Sequence, residues 1–155
     1  MIPLLNLYKE RWQVESEQTI KPGLAAIESA LNILGHPESQ LNVVHFAGTN
    51  GKGSTLSFLE AVSRAHGLSV GKFMSPCVVD VHDQLQIDGK PITTDQMDRM
   101  FQQLAEVGLS GKLTDFELLT VMAFLYFADQ KPDLVLIEAG MGGREDSTNV
   151  VIPIV

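Results

Sequence analysis

Apolar positions alternate between helical and strand-like spacing along most of the chain. From Leu24 to Leu34 they recur every three or four residues, which predicts a helix that Gly35 ends. The apolar, β-branched run 41–46 predicts a buried strand instead. The same criteria predict four more helices, over 4–13, about 54–66, from Thr94 or Asp95 to near Gly108, and over 115–129. They also predict strands over 68–73, 133–138 and 149–155, and a hairpin over 84–92 around Asp88-Gly89. This order predicts an α/β fold in which helices flank a mostly parallel sheet.

Composition narrows the class of protein. The 155 residues suit one domain, and an apolar fraction of 45% is enough for a packed core. A net charge of −8 lacks the positive footprint of a nucleic-acid-binding protein. The single cysteine, Cys77, excludes a disulfide framework within the chain and argues against a cysteine zinc site. A charged N-terminus and the lack of a long apolar stretch favour a cytoplasmic protein without a membrane anchor.

A glycine-rich turn joins the strand at 41–46 to the next helix. Glycines let consecutive backbone N–H groups point to one side, and a following helix adds its positive N-terminal end, so such a turn can bind phosphate. The lysine within the turn would neutralise the β- and γ-phosphates, and a hydroxyl after it would face Mg²⁺. The predicted ATP-binding residues are Gly48, Thr49, Asn50, Gly51, Lys52, Gly53, Ser54 and Thr55, with Lys52 also predicted to be catalytic. The alternative is a glycine-rich turn that binds no ligand.

This turn departs from the general P-loop pattern, because Phe46 replaces its first glycine and Gly53 its Ser or Thr. With these departures it resembles the variant P-loop of the Mur ligase superfamily. The Lys-Gly-Ser ending is similar to the folylpolyglutamate synthase and dihydrofolate synthase branch. Residues 73–77, 115–117 and the long loop 136–149 resemble further motifs of that branch, in the same order.

The resemblance implies a Mur-type ATP-binding domain that uses ATP and Mg²⁺. It implies an ATP-dependent amide ligase that joins L-glutamate to folate or dihydropteroate through an acyl phosphate. The implied Mg²⁺ ligands are Ser54, Ser75 and Glu138, and the implied substrate contacts are Lys21, Pro22 and Phe116. Without the resemblance, Ser75 would be part of a Ser-Pro turn, Glu138 an exposed carboxylate at a strand end, and Phe116 a core residue.

The sequence also departs from the family pattern. Cys77 replaces the usual His, and we expect it to be a buried or half-buried thiol rather than a nucleophile. Asp83 and Gln84 stand where the family usually has Glu-Arg, which puts the folate length preference in doubt. The four histidines lack metal-ligand spacing, and most are expected on the surface or in loops; they are His36, His45, His66 and His82.

The chain is expected to be the N-terminal part of the ATP-binding domain, truncated within it. The apolar run 149–155 has no following helix, and the family's glutamate-binding C-terminal domain is absent from these residues. We therefore expect a marginal fold, weak nucleotide binding, no complete ligase activity and self-association through uncovered apolar surface. The alternatives are a nucleotide-binding module without ligase activity, another Mur-type ligase, or a different P-loop enzyme such as a small kinase, for which the chain shows no basic lid segment.

Overall fold

The computed structural model describes residues 2–19, 23–46, 52–138, 148 and 153. The helices in these residues are α1 (Leu5–Trp12), α2 (Ala25–Ile33), α3 (Lys52–Ala65), α4 (Thr94–Glu106) and α5 (Asp115–Gln130). The strands are β1 (Val43–Phe46), β2 (Val70–Phe73), β3 (Leu85–Ile87), β4 (Lys90–Pro91) and β5 (Leu134–Glu138), and short 3-10 turns cover Pro37–Gln40 and Val81–Gln84. None of the described helices is long and apolar enough to span a bilayer.

The five described strands form one sheet in the order β1-β5-β2-β3-β4. The three strands β1, β5 and β2 run parallel, while β3 and β4 are antiparallel and form one edge. Asp88 and Gly89 have φ of 51° and 78°, as a two-residue hairpin turn requires. The α/β class and the hairpin are confirmed, and the hairpin makes the sheet mixed rather than wholly parallel.

The larger core lies on the face of the sheet that α5 covers. Helix α5 is apolar around most of its circumference, and its side chains from Leu118 to Phe124 are buried. Helices α1, α2 and α4 pack outside it, in the same apolar cluster as Val43, Phe73 and Ile137 of the sheet. This face therefore supplies most of the buried apolar area of the described chain.

Helix α3 covers the opposite face with a much smaller core. Its buried apolar residues are Val44, Leu56, Val70 and Leu136, with Phe46, Leu59, Met74 and Leu134 packed against them. Successive residues of β5, from Leu134 to Ile137, alternate between the two clusters, as the period of a strand requires.

Reciprocal capping boxes mark the starts of α4 and α5, and the capping residue predicted for α4 was wrong. Helix α4 is capped by Thr93 rather than by Thr94 or Asp95, because the Thr93 hydroxyl accepts from the backbone N–H of Gln96 and the Gln96 side chain accepts from that of Thr93. Helix α3 begins at Lys52, two residues before the predicted start. The predicted strand over 149–155 lies outside the described residues apart from Pro153, which is in no regular element.

Candidate nucleotide and metal site

Three predicted site segments converge on the carboxyl edge of the parallel strands. Phe46, the last residue of β1, pairs with Glu138, the last residue of β5. Phe73, the last residue of β2, pairs with Ile137, so Ser75 follows just beyond the same edge. Helix α3 starts at Lys52, six residues after β1 ends. Ligands of open α/β sheets bind at this edge, where loops and helix N-termini meet.

The first turn of α3 leaves its small polar side chains accessible. Ser54 and Thr55 are exposed, and a Cβ atom at Gly53 would meet no atom within 4 Å. The N-terminus of a helix of this length favours an anion through its free N–H groups and its dipole. The predicted phosphate-binding residues 48–51 lie outside the described residues, and of Lys52 the structure describes only its place as the first residue of the helix.

Glu138 and Ser75 supply oxygen donors from neighbouring strand ends. Glu138 is half-buried, and the alternation of β5 puts it on the α3 side, the side of Leu134 and Leu136. Ser75 is half-buried and precedes Pro76 through a cis peptide bond. A carboxylate with hydroxyl donors fits Mg²⁺, which prefers oxygen ligands and usually keeps several waters.

The described residues do not contain a group of three or more His, Cys, Asp or Glu side chains that could hold a metal. Sites built from His and Cys hold transition metals such as zinc. The sparse oxygen set at the strand ends instead suits a magnesium ion that is shared with a phosphate ligand.

At the motif 115–117, the acidic side chains have structural roles and the ring of Phe116 is half-buried. Thr114 and Glu117 form a reciprocal capping box at the start of α5, and Asp115 lies 3.1 Å from the ammonium of Lys9. The half-buried ring of Phe116 stacks on Phe73, with 6.1 Å between ring centroids. Phe116 therefore packs against the core at the end of β2, near Ser75. Lys21 and Pro22 lie outside the described residues.

The loop after Ser75 is held in place by an acidic side chain whose role the sequence did not reveal. The carboxylate of Asp83 accepts hydrogen bonds from the backbone N–H groups of Val78, Val79 and Asp80. The loop thereby exposes Val78 and Val79, whose relative exposures are 81% and 73%. Asp83 thus has a structural role in this chain.

The two other departures from the family pattern lie beside the same loop. Gln84 is buried, and its amide donates to the carbonyl of Met74 at 3.3 Å, next to Ser75. Cys77 is a free, half-buried thiol, as predicted. Gln84, the last residue of the 3-10 turn before β3, therefore ties that turn to the residue before the predicted metal ligand.

A chain of hydrogen bonds ties this loop to α1. The imidazole of His82 bonds to the Tyr8 hydroxyl through Nε2 and to the Asp80 carboxylate through Nδ1 at 2.8 Å. Burial acts to raise the pKa of the Asp80 carboxyl, but the hydrogen bonds from His82 and the nearby imidazole charge outweigh it, so the pKa lies below its ordinary value of 3.8. His82 is thus a partly buried linking residue.

The expectation that most histidines are surface or loop residues is confirmed, with His45 as the exception. His82 is partly buried, and His45 lies in β1, where Nε2 is 2.7 Å from the hydroxyl of Thr148. Thr148 is fully buried, and its hydroxyl lies beside β1. His36 and His66 are exposed, as predicted.

The described residues also form a groove that does not coincide with the predicted site. It has a volume of about 620 Å³ and lies between α1 and residues 13–18. None of the predicted site residues that the structure describes lines it, and the ammonium of Lys9 within it is already bonded to Ser16 and Asp115. The convergence of strand ends, rather than this groove, therefore locates the candidate site.

Relatives of known function match most of this chain. The dihydrofolate synthase/folylpolyglutamate synthase of Bacillus subtilis is 39% identical over 142 residues, which cover 87% of this chain and 33% of the relative. The dihydrofolate synthetase of Saccharomyces cerevisiae is 42% identical over 134 residues, which cover 85% of this chain and 31% of the relative. A scan against models of protein families found no match.

The chain belongs to the folylpolyglutamate synthase and dihydrofolate synthase family. It spans about a third of the length of the curated relatives it matches. The motifs at 48–54, 73–77, 115–117 and 136–149 thus identified the family correctly.

Solved structures agree with this assignment. A Mycobacterium tuberculosis folylpolyglutamate synthase complexed with ADP superposes with a TM-score of 0.82 and 33% identity, over 96% of this chain and 34% of its own. A complex of folylpolyglutamate synthase with AMPPCP and folate gives 0.83 and 29%, over 96% and 38%. A bifunctional enzyme with Mn, AMPPNP and L-glutamate bound gives 0.79 and 33%, over 87% and 33%.

Proposed function

We propose that this chain supplies the nucleotide-binding part of an ATP-dependent ligase that adds L-glutamate to folate or dihydropteroate. The observation that carries the proposal is the meeting of the α3 N-terminus, Glu138 and Ser75 at one edge of the sheet. Related structures that hold ADP, AMPPCP with folate, or Mn with AMPPNP and L-glutamate support it.

The nucleotide is bound by the glycine-rich turn and the start of α3. Backbone N–H groups of Gly48 to Gly51 hold phosphate oxygens, and Lys52 neutralises the triphosphate. Thr55 belongs to the same proposed set. Ser54, Ser75 and Glu138 would hold Mg²⁺, and the ion would supply positive charge next to the phosphates.

The acceptor substrate lies against Phe116, Lys21 and Pro22. A carboxylate oxygen of the folate or pteroate attacks the γ-phosphorus, the bond to the β-phosphate oxygen breaks, and ADP leaves. The amine of L-glutamate then attacks the carbonyl carbon of the acyl phosphate. Inorganic phosphate leaves, the amine loses a proton, and an amide remains.

Residues 1–155 form the N-terminal part of the ATP-binding domain, and the glutamate-binding domain lies outside them. The isolated chain therefore binds Mg·ATP weakly and does not complete glutamate transfer. The exposed side chains of Phe58, Val78 and Val79 support self-association of the isolated chain. We place the protein in the cytoplasm, where ATP, folate and glutamate are available.

A calorimetric titration of Mg·ATP into the chain tests the nucleotide site. Lys52→Ala should abolish binding, because the lysine charge offsets the triphosphate. Lys112→Ala, which removes an exposed lysine elsewhere, is the matched control and should bind like the unmodified chain. Equal binding by the Lys52→Ala chain would refute the phosphate role.

A second titration tests the metal ligands. Ser75→Ala and Glu138→Gln should weaken ATP binding in the presence of Mg²⁺ and leave binding without the metal unchanged. Ser57→Ala, an exposed serine on α3, is the control. Equal loss with and without Mg²⁺ would remove these two residues from the metal site.

The ligase step is tested on a longer chain that includes the second domain. Incubation with ATP, L-glutamate and either dihydropteroate or folate should yield ADP and a glutamylated product. ATP binding without any product would favour a nucleotide-binding module that lacks ligase activity.

A further inference from the structure

The α3 face of the sheet contains a buried ion pair. The ammonium of Lys72 lies 3.0 Å from Oε1 of Glu60 and donates a hydrogen bond to it, and each side chain is only 11% exposed. Lys72 shares its strand face with Val70, and Glu60 lies one turn of α3 after Leu56. The pair therefore joins the helix to the strand inside the small apolar cluster.

Stability alone does not explain a buried ion pair at this position. Removing two charges from water is unfavourable, and apolar residues of similar volume often stabilise a fold as well or better. Among the described residues, the second carboxylate oxygen of Glu60 is buried without a hydrogen-bond partner, so Lys72 is the group that balances this charge. An ion pair differs from an apolar contact in being directional, and directional contacts fix register.

The pair connects two segments of the proposed nucleotide site. Glu60 lies eight residues after Lys52, about two helical turns from the start of α3. Lys72 is the next-to-last residue of β2, three residues before Ser75. A shift of α3 along β2 would therefore move the first turn of α3, with Ser54, relative to Ser75.

We propose that Glu60 and Lys72 are positioning residues that hold the start of α3 in register with the end of β2. The ligand in question, Mg·ATP, rests on the function proposed above. Groups that act together on one ligand are sensitive to their spacing, and a misplacement of about 1 Å can reduce catalysis about a hundredfold. The apolar cluster on this face has four buried members, and the ion pair adds a directional contact between helix and strand.

Three variants separate positioning from stability. Lys72→Met leaves the Glu60 carboxylate buried without its counter-charge and should lower both the melting temperature and the affinity for Mg·ATP. Glu60→Leu with Lys72→Met makes the pair apolar and should restore the melting temperature. Its affinity for Mg·ATP should stay at least about tenfold below that of the unmodified chain. Glu60→Lys with Lys72→Glu reverses the pair and should recover most of the affinity.

Arg11→Met is the control, because it breaks an ion pair with Asp98 in which Arg11 is half exposed. It should leave the affinity for Mg·ATP unchanged, because α1 and α4 belong to the cluster on the other face of the sheet, whatever its effect on the melting temperature. If the apolar double variant binds Mg·ATP like the unmodified chain, the pair is only structural and the positioning role is wrong.

Amide hydrogen exchange gives a readout that needs no nucleotide. In the apolar double variant, at an unchanged melting temperature, amides of residues 56–60 in α3 should exchange faster, while those of α5 should not. If the unmodified chain binds no Mg·ATP, the proposed function fails for these 155 residues, and exchange still decides the positioning role. Unchanged exchange in α3 would overturn it.

Discussion

On one face of the sheet, α5 is buried along most of its length among side chains from α1, α2 and α4, whereas on the other face α3 contributes one fully buried leucine, Leu56. The α5 face has an apolar interior, while the α3 face contains the buried Glu60–Lys72 pair. Helix α3 itself begins at Lys52, within the glycine-rich sequence. The larger apolar core and the proposed nucleotide site thus lie on opposite faces. Binding sites need polar groups and accessible helix ends, which a close-packed apolar core does not provide.

The largest effect is expected in the middle of α5. Phe124 is fully buried, so Phe124→Ala should reduce the free energy of unfolding by about 3–5 kcal/mol, through lost apolar burial and the cavity that remains. Phe58→Ala on α3 removes a phenyl group that is 71% exposed, and should change it by less than about 0.5 kcal/mol. Urea unfolding monitored by circular dichroism measures both. Similar losses in the two variants would show that the faces do not differ in this way.

A smaller loss is expected in the core on the α3 face. Leu56 is fully buried but has few buried apolar neighbours, so Leu56→Ala should cost about 2–3 kcal/mol, at the low end for a buried leucine. The same unfolding experiment measures it. A loss greater than that of Phe124→Ala would mean that the α3 face contributes more stability than its small cluster indicates.

Adding a methyl group at a glycine on each face of the sheet sharpens the comparison between the two faces. A Cβ atom at Gly71 would lie 2.8 Å from the Phe127 ring and 3.2 Å from Pro132, so Gly71→Ala should cost about 1–3 kcal/mol by overpacking the α5 face. At Gly53 in α3 the same atom would meet no atom within 4 Å, and Gly53→Ala should not lower stability. Thermal melting of the two variants measures the difference. Equal melting temperatures would contradict the close packing at Gly71.

The smallest expected effect is on the pH dependence of stability, through Asp80 in the loop that follows Ser75. The pKa of Asp80 is lower in the folded chain than its ordinary value of 3.8, so its contribution to stability is present above that value. That contribution is lost as the pH falls through the folded pKa, because protonation weakens the bonds with His82. Asp80→Asn should therefore narrow the stability difference between pH 6 and pH 3, measured by urea unfolding at the two pH values. An unchanged difference would show that Asp80 does not contribute to the pH dependence.

Local spacing accounts for most of the element pattern. Helices over 24–35 and 115–129 and the hairpin at Asp88-Gly89 followed from apolar periodicity and turn residues, and the structure confirms them within a few residues. The error at the start of α4 arose because Thr93, Thr94 and Asp95 are all good capping residues. Only the reciprocal bonds of Thr93 with Gln96 distinguish them.

The sequence by itself determined the element types, the glycine-rich turn and the motifs that place the chain in its family. These depend on neighbouring residues, so their spacing along the chain is sufficient. The tertiary structure alone decided which residues share a face. It paired Glu60 with Lys72, brought Thr148 to His45 and gave Asp83 three backbone donors from the loop after Ser75. The first two contacts, like the stacking of Phe116 on Phe73, join separate elements, and their geometry is fixed only when helices and strands pack together.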